Sequence, residues 1–124
     1  MRKLLLFCIT IIFSGCVTVE FIKNRIVSPE VVGNKVIFRY ESASATFVTV
    51  AGEFNGWEYK PEQYRAIKMK KVSDTLWEAE VENIPPGRYQ YKFVVDGQTW
   101  ILDPYNPYVI TDPSGNRNSL LIVR

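Results

Sequence analysis

The sequence contains no histidine and has only two cysteines, Cys8 and Cys16, both near its start. Without histidine, a Ser-His-Asp triad and a Cys/His zinc site are excluded, because both need an imidazole side chain. Beyond residue 16 there is also no cysteine left to form a disulfide, so that part of the chain needs a packed hydrophobic core for its stability. No convincing helical period follows the first fifteen residues.

The only long apolar run, LLLFCITIIF at residues 4–13, is too short to span a membrane. A membrane-spanning helix needs about 20 such residues. Arg2 and Lys3 precede the run, and the small residues Ser14 and Gly15 follow it. This order of a positive, an apolar and a small-residue segment is typical of a secretory signal peptide.

The residues FSGC at positions 13–16 resemble the lipobox of bacterial lipoproteins, with Phe13 where leucine is commonest. The resemblance implies that residues 1–15 are a cleaved signal peptide and that Cys16 is lipidated. The protein would then be secreted and anchored in the bacterial cell envelope, on the outer or the cytoplasmic membrane and facing away from the cytoplasm. Residues 16–30 would hold the lipidated cysteine and a spacer, part of which pairs as an edge strand. The alternative is an ordinary cleaved signal peptide with a chance cysteine.

The charge of the chain argues against a nucleic-acid partner. There are 15 Lys and Arg residues and 13 Asp and Glu residues, a formal net charge of +2. Removal of Arg2 and Lys3 with the signal peptide would leave 13 residues of each sign, hence no net charge. This balance of charge gives no indication of a basic surface for nucleic acid or for electrostatic binding to a membrane.

From Val31 onward the sequence predicts β-strands. Apolar and polar residues alternate, as in half-buried strands, or form a short run typical of a strand buried on both faces. Asp96-Gly97 is a hairpin turn signal, and DPYNPYVITDPSGN (103–116) is expected to be a loop. About seven short strands indicate one all-β domain, a β-sandwich. The clearest strand segments are KVIFRY (35–40), ATFVTVAG (45–52), LWEAEVE (76–82), YQYKFVV (89–95) and SLLIV (119–123), with RAIKMKKV (65–72) alternating less cleanly.

Three motifs, VAGEFNGW (50–57), GRYQYKFVVDGQTWILDP (87–104) and GNRNSLLIV (115–123), carry a family resemblance. In this order and spacing they resemble the glycogen-binding domain of the AMP-activated protein kinase β-subunit, a member of carbohydrate-binding module family 48. The resemblance covers residues 31–124. It implies an immunoglobulin-like β-sandwich that binds α-1,4-glucan chains such as glycogen, starch or maltodextrin.

The resemblance also implies the binding residues. Trp57 follows the F-N-x-W turn and matches a tryptophan that stacks on sugar rings. Trp100 is the counterpart of the second stacking tryptophan, but it stands one residue later than in the common D-G-x-W pattern. Lys92 and Asn118 match residues that hydrogen-bond sugar hydroxyls, and Asn116 lies near Asn118. Because strand side chains alternate, the extra residue before Trp100 either turns its ring to the other face or is absorbed by a longer loop.

Other aromatic residues are expected to have structural roles. Trp77 alternates in phase with Ala79 and Val81, which predicts a place in the core. Tyr105 and Tyr108 flank the dipeptide Asn106-Pro107 and are expected to pack that loop, with a place in the binding site as the alternative. Trp57 itself has a structural alternative, since a loop tryptophan often caps the edge of a sandwich.

The sequence does not predict an enzyme and indicates no cofactor and no metal. Glycoside hydrolysis usually needs two carboxylates in a cleft, whereas Glu78, Glu80 and Glu82 alternate on one solvated strand face. Two functions therefore remain: an anchored α-glucan-binding module beside an envelope hydrolase or transporter, or a structural or protein-interaction domain without sugar binding.

Overall fold

In a computed structural model, which describes residues 25–124, the chain forms two antiparallel β-sheets that pack face to face. Within these residues a 3-10 turn, Glu53–Asn55, follows the third strand. No helix in this part of the chain is long and apolar enough to cross a bilayer. The ten strands are β1 (Glu30–Val32), β2 (Lys35–Glu41), β3 (Val48–Gly52), β4 (Ile67–Lys68), β5 (Lys70–Lys71), β6 (Leu76–Glu82), β7 (Gly87–Val95), β8 (Thr99–Ile101), β9 (Val109–Thr111) and β10 (Arg117–Val123).

The small sheet has the strand order β1-β2-β6-β5, and the large sheet has the order β4-β3-β7-β10-β9. Strand β8 pairs with β7 beyond the end of β10, so that β7 has neighbours along both edges. This arrangement confirms the predicted all-β, immunoglobulin-like sandwich.

The core lies between the sheets and follows the predicted alternation of side chains. Phe38 is fully buried and its ring centroid lies 5.0 Å from that of Tyr91 and 6.3 Å from that of Phe93. Trp77 is only 6% exposed and its indole N–H donates to the carbonyl of Ser42, which confirms its predicted place in the core. All five residues of β3 are buried, as expected for a strand covered on both faces.

A buried polar cluster, which we call the Asp103 cluster, ties the segment before β1 to the large sheet through Ser28. The Asp103 carboxylate accepts hydrogen bonds from the hydroxyls of Ser28 (2.6 Å) and Tyr91 (2.7 Å). The Asp103 amide donates to the Ser119 hydroxyl, and the Asn106 side chain donates to the Tyr91 hydroxyl. Burial raises the pKa of Asp103 above its ordinary value, although the hydrogen bonds it accepts oppose this. Ser28 lies within the expected spacer, so the end of that segment is part of the sandwich.

Two strand predictions were wrong in detail. RAIKMKKV does not form one strand: β4 joins the large sheet and β5 joins the small one, with buried Met69 between them. The expected long loop contains β9, which pairs with β10 at three positions. Both segments are short and lie at sheet edges, where pairing with a neighbour decides the structure more than the local sequence does. The predictions for residues 1–24, including Cys16 and the signal peptide, lie outside the described residues.

Candidate functional site

An open groove of about 510 Å³ lies on the outer face of the large sheet, over β7. All five residues that the sequence suggested for binding line it, although they come from four separate parts of the chain. Three further residues that the sequence did not suggest also line it. The lining consists of Glu53, Trp57, Gln90, Lys92, Trp100, Asp112, Asn116 and Asn118.

The loop that carries Trp57 is organised by the side chain of Asn55, which is only 4% exposed. The side-chain oxygen of Asn55 accepts a hydrogen bond from the backbone amide of Gly52 at 2.9 Å. Its side-chain nitrogen donates to the backbone carbonyls of Val50 (3.2 Å), Glu58 (3.1 Å) and Arg65 (3.0 Å). One buried amide therefore holds the end of β3, the turn and the far side of the loop together.

Trp57 stands in a backbone conformation that large residues rarely adopt. Gly56 and Trp57 both have a left-handed backbone, with φ of 66° and 62°, and such a conformation costs a bulky residue about 1–3 kcal/mol. The Trp57 amide donates to the Gly52 carbonyl at 2.9 Å, which fixes the turn. Phe54 packs against Phe38 at a centroid distance of 5.6 Å. The loop thus packs the ring of Phe54 against the core and directs the half-exposed ring of Trp57 to the groove.

Lys92 points away from the core because it alternates with two fully buried residues of β7, Tyr91 and Phe93. None of the carboxylates in residues 25–124 forms an ion pair with its ammonium group. Gln90, two residues earlier on the same face, donates its backbone amide to the Glu53 carboxylate at 2.7 Å. The floor of the groove therefore carries the ammonium group of Lys92, which has no ion-pair partner among the described carboxylates, beside the side-chain amide of Gln90.

The strand register places Trp100 on the face that Lys92 occupies. Val95 pairs with Thr99 and Val94 with Trp100, which leaves a turn of three residues between the two strands. Cross-strand partners share a face, and Val94 shares its face with Lys92, two residues earlier. The extra residue before Trp100 therefore does not turn the ring to the core side. Asp96 and Gly97 in the turn have positive φ, which confirms the predicted hairpin turn.

The two asparagines at the groove, Asn116 and Asn118, differ in their exposure and in their hydrogen bonds. Asn116 is exposed in a turn in which the Asp112 carboxylate accepts hydrogen bonds from the amides of Ser114 and Asn116, both at 2.9 Å. These bonds, chiefly the one from the backbone of Asn116, lower the pKa of Asp112. Asn118 is 7% exposed, and its side-chain nitrogen donates to the side-chain oxygen of Gln90 at 2.8 Å. Asn118 therefore holds Gln90 in place, whereas Asn116 reaches solvent.

Of the three lining residues that the sequence reasoning missed, one had a usable signal. Gln90 lies two residues before Lys92 in β7. The alternation of side chains that predicts Lys92 on the outer face therefore also predicts Gln90 on that face. Glu53 and Asp112 stand in a 3-10 turn and in a loop, where no period predicts the direction of a side chain.

The loop tyrosines divide between packing and exposure. Tyr105 is half-buried and its hydroxyl donates to Glu41 at 3.1 Å, so it helps to pack the loop, as expected. Tyr108 is 63% exposed. The expectation that it packs the loop was wrong, because Tyr108 lies next to β9, which is the edge strand of the large sheet within residues 25–124.

The chemistry of the groove suits a neutral polyhydroxylated ligand. Two half-exposed indoles offer flat apolar surfaces, and the ammonium, amide and carboxylate groups that also line the groove can donate to or accept from hydroxyls. Among residues 25–124 no group of three His, Cys, Asp or Glu side chains is placed to hold a metal ion.

Comparison with protein families gives a match over most of the chain. The family model of carbohydrate-binding module 48 (isoamylase N-terminal domain) matches residues 26–106.

Two curated relatives illustrate the similarity. The chloroplastic protein PTST homolog 2 of Arabidopsis thaliana is 38% identical over 80 residues, 64% of this chain and 13% of that protein. The human 5'-AMP-activated protein kinase subunit beta-2 is 36% identical over 77 residues, 62% of this chain and 25% of that protein. The chain thus spans a quarter or less of the length of these two relatives.

Solved structures share the fold. A mutant pullulanase from Paenibacillus barengoltzii, crystallised with maltotetraose, matches 79% of this chain and 15% of its own, with a TM-score of 0.56 and 19% identity. The pullulanase of the same organism with maltohexaose and alpha-cyclodextrin matches 79% of this chain and 14% of its own, with a TM-score of 0.51 and 19% identity. At this identity the likeness concerns the fold alone.

Proposed function

Because the chain belongs to the carbohydrate-binding module 48 family, whose model matches residues 26–106, we propose that it binds α-glucan chains in the groove of the large sheet. Members of this family are binding modules, so the sandwich is a non-catalytic domain. Its ligands would be glycogen, starch or maltodextrin, held without chemical change.

The observation that carries the proposal is the placement of Trp57 and Trp100 in one groove with Lys92. A glucose ring has apolar C–H faces and a rim of hydroxyls, so its recognition needs flat aromatic surfaces and nearby polar groups. The two indoles would stack on successive parts of a glucan chain. Lys92, Asn116 and the Gln90–Asn118 pair would form hydrogen bonds with the hydroxyls.

The comparisons support the choice of glucan. The resemblance to the glycogen-binding domain of the kinase β-subunit, carried by the three motifs that contain Trp57, Lys92 and Asn118, indicates an α-glucan ligand.

We expect modest affinity for a short oligosaccharide, with a Kd of about 10 μM to 1 mM. Each aromatic contact contributes ~0.5–1.5 kcal/mol beyond its buried area, and the cost of ordering a flexible glucan offsets part of that. Since the ligand is uncharged, the affinity should depend little on salt concentration.

Native gel electrophoresis of the purified protein through glycogen or amylopectin tests the proposal. Retardation by these α-glucans, but not by hydroxyethyl cellulose, is the expected result. Trp57→Ala should abolish the retardation, whereas Tyr64→Ala, which removes a fully exposed ring outside the groove, should not. Equal mobility of the wild-type protein in every gel would refute sugar binding.

We also propose that the protein is lipid-anchored through Cys16 and displays the groove outside the cell membrane, near an envelope hydrolase or transporter. Many anchored copies would hold a polymer more tightly than one domain does, through effective concentration. Labelling of cells with an alkyne fatty acid should mark the wild-type protein and the Cys8→Ser variant, but not Cys16→Ser. Equal labelling of Cys16→Ser and the wild-type protein would refute the anchor.

A structural domain without sugar binding is the second candidate, and the state of Asn118 favours it. The side chain of Asn118 is almost buried and already donates to Gln90, which reduces its capacity to bind a hydroxyl. The gel experiment separates the two candidates, because a purely structural domain gives the same mobility with and without α-glucan.

A further inference from the structure

Tyr59 lies outside the groove lining but contacts one of its two indoles. The ring centroids of Tyr59 and Trp100 are 4.9 Å apart and their planes meet at 61°, an edge-to-face arrangement. Trp100 is 40% exposed, and its strand β8 has three residues and, within residues 25–124, pairs only with β7. A ring on so short a strand needs a second contact to keep one orientation, and Tyr59 provides it.

Near Trp100, the loop that follows Trp57 covers the outer face of the large sheet. Thr49, Val94 and Trp100 stand side by side on β3, β7 and β8, according to the strand register. Thr49 and Val94 are fully buried although they face away from the core. The Thr49 hydroxyl donates to the carbonyl of Tyr59 at 2.8 Å, so the loop that follows Trp57 lies over this part of the sheet.

Tyr59 is itself held by its loop. The side-chain oxygen of Gln63 accepts hydrogen bonds from the amides of Tyr59 (3.0 Å) and Lys60 (2.9 Å). The carbonyl of the preceding residue, Glu58, accepts a bond from Asn55, the residue that organises the Trp57 turn. Trp57 and Tyr59 therefore belong to one hydrogen-bonded unit.

From these contacts we propose that Tyr59 is a positioning residue, which fixes the Trp100 ring and couples its orientation to the loop that carries Trp57. The proposal rests on the proposed function, since the two indoles are taken as the surfaces that stack on a glucan. It explains how a tryptophan one residue later than the common family pattern still takes part in the groove. Without Tyr59, glucan binding would have to immobilise the Trp100 ring, at a cost in affinity.

The first test is calorimetric titration with maltoheptaose of the wild-type protein, Tyr59→Ala, Tyr59→Phe and the control Tyr64→Ala. We expect Tyr59→Ala to weaken binding about 3- to 10-fold, the equivalent of one edge-to-face contact. Tyr59→Phe should bind like the wild-type protein, because the phenyl ring keeps the contact and no hydrogen bond of the Tyr59 hydroxyl is lost among the described residues. Wild-type affinity in Tyr59→Ala would overturn the proposal.

The second test needs no ligand. In protein labelled with 5-fluorotryptophan, ¹⁹F NMR should give separate signals for the three tryptophans, with that of Trp100 assigned by Trp100→Phe. Tyr59→Ala should shift or broaden the Trp100 signal and leave the signal of buried Trp77 in place, while Tyr59→Phe should change neither. If Tyr59→Ala perturbs the fold, Tyr59→Leu keeps the bulk without the edge-to-face contact and should still move the Trp100 signal.

The two tests separate this inference from the proposed function. If the wild-type protein binds no α-glucan, the proposed function fails, and the ¹⁹F spectra still decide whether Tyr59 fixes the Trp100 ring. An unchanged Trp100 signal in both Tyr59→Ala and Tyr59→Leu would overturn the positioning role, whatever the protein binds.

Discussion

The two sheets of the sandwich have outer faces of opposite character. On the small sheet, Arg39 bonds to Glu30 and Glu78, both at 2.8 Å, and Lys35 bonds to Glu80 at 2.8 Å. These paired charges and the exposed Lys70 of β5 make a solvated face. The large sheet instead has two half-exposed indoles around Lys92, which has no ion-pair partner among residues 25–124. Lys92 and the two indoles thus leave a charged donor and flat apolar surface on the large sheet, which is the face where we propose that the glucan binds.

The largest expected effect comes from the residue that shapes the groove. Asn55→Ala would leave the amide of Gly52 and three carbonyls without their partner, and each buried unsatisfied group costs about 1–3 kcal/mol. We expect the free energy of unfolding to fall by about 3 kcal/mol and glucan binding to be lost. Urea unfolding measures the change, with Asn34→Ala as the control, since the bond from Asn34 to Asn83 is exposed. A loss of less than ~1 kcal/mol would contradict the role of Asn55.

Removal of the Trp57 ring should affect binding more than stability. We expect Trp57→Ala and Trp57→Gly to weaken α-glucan binding about 30-fold or more, through the loss of ~2 kcal/mol of stacking and apolar burial. Because residue 57 has φ of 62°, the glycine variant should be about 1 kcal/mol more stable than the alanine variant. Thermal unfolding compares the two. Retained binding in both variants would show that the ring only caps the sandwich.

Lys92→Ala should weaken binding about 2- to 10-fold, the equivalent of one hydrogen bond to an uncharged sugar hydroxyl. The matched control is Lys35→Ala on the opposite face, which should bind like the wild-type protein. Calorimetric titration with maltoheptaose measures both. If the two lysine variants weaken binding equally, the contrast between the faces has no functional meaning.

Asp103 gives a dependence on pH that is separate from binding. Burial raises its pKa in the folded protein above the ordinary 3.8, so between these values the folded state holds more protons than the unfolded state. The contribution of Asp103 to stability is therefore greatest below pH 3.8 and falls as the pH rises through the folded pKa. As the pH rises through that range, the free energy of unfolding of Asp103→Asn should increase relative to that of the wild-type protein, which urea unfolding at several pH values measures. A difference in unfolding free energy that stays the same at every pH would contradict this role of Asp103.

The smallest expected effect is on the face with paired charges. Lys35 and Glu80 are about half exposed, and such surface pairs contribute about 0–1 kcal/mol. Lys35→Ala should lower the free energy of unfolding by no more than ~0.5 kcal/mol, and by less in high salt. Urea unfolding at two salt concentrations checks it. A loss above ~2 kcal/mol would mean that this pair supports the fold.

The core and the direction of Lys92 could be predicted because alternation along a paired strand is a local property. Tyr91 and Phe93 turn inward, and the residue between them must then turn outward. The same alternation predicts that Trp77 lies in the core. It does not predict the face of Trp100, because that face depends on the number of residues in the hairpin turn. The pairing of β7 with β8 fixes this number.

Contacts between distant segments could not be predicted. The bond from Ser28 to Asp103 joins residues 75 positions apart, and no local pattern announces it. The contact between Tyr59 and Trp100 and the place of Glu53 in the groove likewise depend on how a loop lies over a sheet. Strand β9 is stabilised by pairing with β10 at an edge, while prolines and a glycine on either side of it indicate a loop.

The most direct test of glucan binding in the groove is an NMR titration of ¹⁵N-labelled protein with maltoheptaose. We expect progressive shifts of the backbone amide signals of Gln90, Lys92 and Asn118 and of the indole N–H signals of Trp57 and Trp100. The amides of Arg39, Glu78 and Glu80 on the small sheet should stay in place. Shifts confined to the small sheet, or no shifts at millimolar maltoheptaose, would contradict the claim that the large sheet carries an α-glucan site.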